Sequence, residues 1–187
     1  IARGVGRVLV SLGLVSVPEL SLPNGRRADI VALSEKGEFW IVEIKSSVED
    51  FRADQKWPEY WEYCDRLFFA VAPSFPQELL PSETGIIVAD RYGGEIVRHV
   101  EETRLPAHRR RTMALRFGRV AAARLLSLTD PGLALGAALR GARAGSPADA
   151  GRQAAYFGAR LARMRCRVRR CMLSRRAVSD TFRLHSS

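Results

Sequence analysis

The spacing of apolar residues changes character along the chain. Val5, Val8, Leu9 and Leu12 fall at i, i+3, i+4 and i+7, one face of a helix. Gly13 stands where a helix C-terminal glycine belongs. Residues 14–22 then read as a strand, and Pro18 demands that it lie at an edge or carry a bulge. After the turn Pro23-Asn24-Gly25, residues 28–33 and 39–44 form two further strands around the loop Glu35-Lys36-Gly37. Residues 46–57 are polar and start helical, and Pro58 opens a second helical stretch ending near Asp65. Residues 67–72 hold no charge and have strong β character. Pro73-Ser74-Phe75-Pro76 breaks that strand. Residues 85–89 form another, and Gly93-Gly94 turns it into a hairpin with residues 95–97. From Pro106 helical spacing returns through Met113, Phe117, Val120 and Leu128. The order α, three strands, α, strands, α predicts a mixed β-sheet flanked by helices.

Beyond Asp130-Pro131 the pattern is lost. Residues 131–187 are rich in Ala, Gly and Arg, with a linker-like 141–151 and a basic helical stretch over 156–171. Two parts follow: an α/β domain over 1–130 and a basic helical or disordered extension over 131–187. Charge divides similarly. Residues 1–100 carry 11 basic and 15 acidic side chains; residues 101–187 carry 19 and 5, within a chain of net charge +10. An acidic body with an Arg-rich rear suits an anionic partner such as nucleic acid or a membrane surface. Biased genome composition, or out-of-frame translation of the tail, would also enrich Arg and Ala. No apolar run reaches the ~18 residues of a membrane helix. The N-terminus lacks both Met and a secretory core, so it reads as a trimmed or partial chain. Cys64, Cys166 and Cys171 make no disulfide framework, which points to a reducing cytoplasm, with association with the nucleoid as a variant. His99, His108 and His185 share no zinc spacing.

The second and third strands contain three charges where charges are costly: Asp29, Glu43 and Lys45. A three-residue loop with Gly37 in the left-handed position would pair Ser34 with Glu38 and set Asp29 opposite Glu43. Glu43 and Lys45, two apart, share a face. All three groups then lie together. A two-residue loop would put Asp29 on the other side. Two facing carboxylates repel, and Mg²⁺ or Mn²⁺ relieves this while keeping water ligands. Such an ion acidifies a bound water and neutralises a phosphoryl oxygen. A neighbouring lysine can stabilise the charge that develops. These are the parts of a phosphodiester hydrolase.

Asp29 followed by Glu43-Ile44-Lys45, on successive strands, resembles the PD-(D/E)XK nuclease superfamily, with its restriction-endonuclease-like αβββαβ core. Ala28 stands where that pattern often has Pro. The resemblance implies Asp29 and Glu43 as metal ligands, the Ile44 carbonyl as a third, Lys45 as the catalytic lysine and Glu19 as an additional acidic ligand. Gln55 matches a glutamine some members carry on the following helix. Longer stretches are similar to MmcB-like DNA-repair proteins of bacteria: Pro18-Glu19-Leu20, residues 24–29, residues 42–47, residues 50–60 and residues 64–71. That likeness implies action on DNA and covers residues 1 to about 130.

Each feature also has a plainer reading. Asp29, Glu43 and Lys45 could form a buried ion network with no metal. Arg26, Arg27, Gln55, Lys56, Trp57 and Tyr60 are candidate DNA contacts, and also ordinary surface or packing residues. Arg109-Arg110-Arg111 either meet phosphate or face water. The expectation is a Mg²⁺- or Mn²⁺-dependent DNA nuclease of damaged or branched DNA, with neither a membrane nor a small molecule as partner. A homodimer would suit a grip on two strands. The alternative is a non-catalytic DNA-binding or partner-recruiting protein on the same core.

Overall fold

The computed structural model describes residues 1–132. The linker over 141–151, the basic helix over 156–171, Cys166, Cys171 and His185 all lie outside the described residues. Six strands form one mixed sheet in the order of the chain. They are β1 (Val15–Ser21), β2 (Arg27–Leu33), β3 (Phe39–Lys45), β4 (Arg66–Val71), β5 (Gly85–Ala89) and β6 (Gly94–Arg98). β1, β2 and β3 form an antiparallel meander. β4 runs parallel to β3, and β5 parallel to β4; β6 returns antiparallel. The β3–β4 crossover contains α2 (Val48–Ala53) and a 3₁₀ helix, Trp57–Glu62.

Helices cover both faces. α1 (Ala2–Ser11) sets Val5 and Leu9 against Ile30, Ala32, Val42 and Phe68. Gly4 makes that approach feasible, because a Cβ there would lie 2.3 Å from the Asp90 and Gly93 carbonyl oxygens. α3 (Ala107–Thr129) sets Met113 and Phe117 against Val31, Phe39, Ile41 and Leu67 on the opposite face. Successive residues of β2 and β3 therefore enter different cores, which is why both strands are apolar almost throughout. A third cluster, Phe69, Val71, Phe75, Leu80 and Ile86, receives Phe51 and Trp57 from the crossover.

Two expectations change. The helical start within 46–57 is confined to α2, because Asp54 leaves helical geometry (ψ 100°) and its carboxylate is used elsewhere. The stretch begun by Pro58 is 3₁₀ and ends at Glu62. The helical spacing through Leu128 holds, since α3 runs to Thr129, although Leu128 itself is 81% exposed.

Candidate functional site

The loop Glu35-Lys36-Gly37 sets the geometry. Gly37 adopts φ +81°, a conformation that would strain other residues. The Ser34 N–H donates to the Glu38 carbonyl, and the register continues to Ile30 opposite Val42. The next pair would be Asp29 and Glu43, and there the ladder stops. On its other side β2 pairs Ile30 with Pro18 and Ala28 with Leu20, skipping Asp29 and Glu19. Glu19 has φ +47°, the single non-glycine residue with positive φ among the described residues. The strand carrying Asp29 is thus released from both neighbours at that residue.

Side chains replace the missing ladder bonds. The Ile44 N–H donates to Asp29 Oδ2 at 2.8 Å, and the Asp29 N–H donates to Glu43 Oε1 at 3.1 Å. Among the described residues, each carboxylate so keeps one oxygen without a hydrogen-bond donor. Glu43 is 3% exposed. Burial, then the neighbouring Asp29 carboxylate, push its carboxyl up to about 8. Along an extended strand a residue's N–H and C=O point to the same side, so the Ile44 carbonyl lies on the side of its N–H.

Lys45 shares the face of Glu43, but its Nζ lies 2.5 Å from Asp54 Oδ2. Both ends are largely enclosed, at 5% and 18% side-chain exposure. Asp54 Oδ1 also accepts the Lys56 N–H at 2.9 Å. Burial pushes the Asp54 carboxyl up, but the hydrogen bonds from Lys45 and Lys56 outweigh it and hold it low. The two site carboxylates are therefore not partners of the lysine, and among the described residues no salt bridge reaches either of them. A self-contained ion network would have spent Lys45 on them. A hard divalent cation fits this donor set, two carboxylates with spare oxygens and a strand carbonyl, since Mg²⁺ commonly takes one or two carboxylates and retains waters. Among the described residues no group of three or more His, Cys, Asp or Glu is placed to hold a metal.

The remaining candidates disperse. Glu19 lies beside Asp29 in the sheet, but its carboxylate is 64% exposed and 3.7 Å from the Arg27 guanidinium. Arg26 makes a two-pronged contact with Glu59, tying the β1–β2 turn to the 3₁₀ helix. Gln55 is exposed and donates to the Arg52 carbonyl, and the Lys56 side chain faces solvent. Trp57 packs edge-on against Phe69. Tyr60 is buried at 4% exposure, its hydroxyl donating to the Arg27 carbonyl. Burial and the nearby Glu43 carboxylate push that phenol up. Of the Arg109–Arg111 run, Arg109 pairs with Glu62, Arg110 is clamped to Asp65, and Arg111 is exposed. Asp54 is the residue that sequence reasoning passed over. Its signal was an acid nine residues after the lysine, at the end of a short helix.

Fold and site define a class: a three-layer α/β domain whose central sheet is interrupted around two carboxylates, with a buried lysine alongside. Residues 1–132 match the family described as DNA repair protein MmcB-like, and the chain belongs to that family. A solved structure, the SPO1766 protein of unknown function from Silicibacter pomeroyi, is similar at 48% identity and TM-score 0.69. The match covers 72% of this chain and 92% of that one. No curated protein matches the chain. Among the described residues no helix is long and apolar enough to cross a membrane.

Proposed function

We propose that this member of a DNA-repair family is a divalent-metal-dependent deoxyribonuclease on a restriction-endonuclease-like core, hydrolysing phosphodiester bonds of damaged or branched DNA. One observation carries the reading: Asp29 and Glu43 face each other at an interrupted ladder with no cationic partner among the described residues, while the nearest lysine is held by a third acid. Asp29, Glu43 and the Ile44 carbonyl would hold Mg²⁺ or Mn²⁺. When bound, that ion supplies an acidified water and charge neutralisation at a phosphoryl oxygen. Asp29 and Glu43 take their orientation from backbone N–H groups, so little rearrangement is needed to receive it. Lys45, on the same face, offers a positive charge beside the reacting phosphate.

The DNA backbone has a suitable approach along α3, which contains no acidic residue. Arg116 donates to the Ser21 carbonyl, and Arg124 to the Pro18 and Glu19 carbonyls. Those β1 residues adjoin the strand of Asp29. Anchored on carbonyls, these guanidinium groups keep their charge and further donors for phosphate.

The test is cleavage of branched and single-stranded DNA by the parent and by Asp29→Ala. The variant is expected to bind DNA and not cut it. Cutting at the parental rate would overturn the assignment. The engagement of Lys45 by Asp54 favours a second reading, a DNA-binding protein without catalysis. That reading predicts salt-dependent binding and no cleavage under any divalent metal.

A further inference from the structure

We infer that Asp54 is a positioning residue that keeps the metal site open by holding Lys45 away from Asp29 and Glu43. The inference rests on the reading of those two carboxylates as a metal site.

Lys45 and Glu43 are two residues apart on β3 and project from the same face. The lysine is 4% exposed, so its ammonium group cannot simply turn to water. It must meet an anion within the protein. Three carboxylates lie in its neighbourhood: Asp29, Glu43 and Asp54. A contact with either of the first two would neutralise a metal ligand and set an internal cation in competition with the external one. The contact is instead with Asp54, which approaches from the crossover after α2.

The local backbone is arranged for this. α2 is capped at its start by Ser47, whose hydroxyl accepts the Asp50 N–H at 3.2 Å. It ends after six residues, at Asp54 itself. Asp54 turns extended, its Oδ1 takes the Lys56 N–H, and its Oδ2 is left for Lys45. Both carboxylate oxygens are in use, one fixing the loop and one fixing the lysine. Trp57, three residues on, locks the crossover against Phe69 of β4. The lysine is therefore held by an element that sequence places outside the strand pair, while the pair's own carboxylates keep their spare oxygens.

The test measures Mn²⁺ affinity by calorimetry at pH 7.5 for the full chain and three variants: Asp54→Asn, Lys45→Met and the double variant. Asp54→Asn preserves the side-chain shape and an acceptor for Lys56. It is expected to bind Mn²⁺ about tenfold more weakly, the scale typical of a disturbed outer sphere, as Lys45 turns to the site carboxylates. Adding Lys45→Met should restore affinity to that of Lys45→Met alone. If Asp54→Asn binds Mn²⁺ as tightly as the parent, the inference is wrong while the metal site stands. Weak binding that the second change does not rescue also overturns it, since Asp54 would then serve only to fold the loop. If the parent binds no Mn²⁺, with or without DNA, the metal reading fails and this inference with it.

Discussion

Two acids are buried against β3, one at each end, and they are treated in opposite ways. Asp65 meets the start of the strand and is 0% exposed; Glu43 lies near its end and is 3% exposed. Asp65 accepts from the Phe39 and Leu105 N–H groups at 2.7 and 2.8 Å. Arg110 reaches over from α3 and contacts both of its oxygens, at 2.6 and 3.0 Å. The charge is matched and four donors serve it. Glu43 accepts one N–H, faces another carboxylate, and has its carboxyl pushed up to about 8. On the proposed reading the contrast has a reason: Asp65 serves the fold and is given its counter-charge, whereas Glu43 would hold a metal and is left wanting one.

The strongest challenge to this contrast lies at Asp65. Arg110→Ala would strip a fully buried carboxylate of its counter-charge, at a cost of about 3–5 kcal/mol, read as a large fall in thermal midpoint. A change under about 1 kcal/mol would mean that the two backbone donors suffice and that the contrast is overdrawn.

At the other end, Glu43→Ala should lower Mn²⁺ affinity by more than about 100-fold, beyond the range of second-sphere changes. Calorimetry would check it, and unchanged affinity would remove Glu43 from the site. The same group should make metal binding depend on pH. Its raised folded pKa means that at about pH 6 a proton must leave before metal enters, so affinity should climb as pH rises towards about 8.

Glu43→Gln addresses the same group through stability alone. The raised carboxyl contributes stability that is full below the ordinary value of 4.5 and is lost as pH rises through about 8. The metal-free parent should therefore weaken over that window relative to the variant, by up to about 4 kcal/mol. Paired denaturant titrations at about pH 5 and about pH 8.5 would measure it. Parallel pH profiles would show that Glu43 is not poised as described.

The smallest effect concerns the approach of DNA. Replacing Arg116 or Arg124 by Gln should lower the slope of log K against log salt by about 0.9 for each phosphate no longer neutralised, without changing the fold. An unaltered slope would confine those arginines to bracing β1.

Much of this was legible from residues alone. The turn at Gly37 and the apolar flanks of Asp29 and Glu43 favoured setting the two acids opposite each other, but left open the two-residue loop that would part them, because register in a tight hairpin is set by loop length. The short α2 was not legible: its end depends on Asp54 meeting Lys45, a contact made by tertiary docking. Nor did the arginine run announce that Arg109 and Arg110 were already committed to Glu62 and Asp65.

Local pattern was thus sufficient for the element order and the shared face of Glu43 and Lys45, and it favoured the β2–β3 register that brings Asp29 to them. These follow from periodicities of two and 3.6 residues and from turn chemistry, all of which act over short stretches of chain. The partners of the charges were settled by folding in three dimensions. Asp65 received Arg110 from 45 residues away. Lys45 went to Asp54, and the ladder opened around Asp29 where Glu19 turns aside. Charge pairing depends on which side chains docking brings within a few ångströms in a medium of low polarity, and no local pattern encodes that.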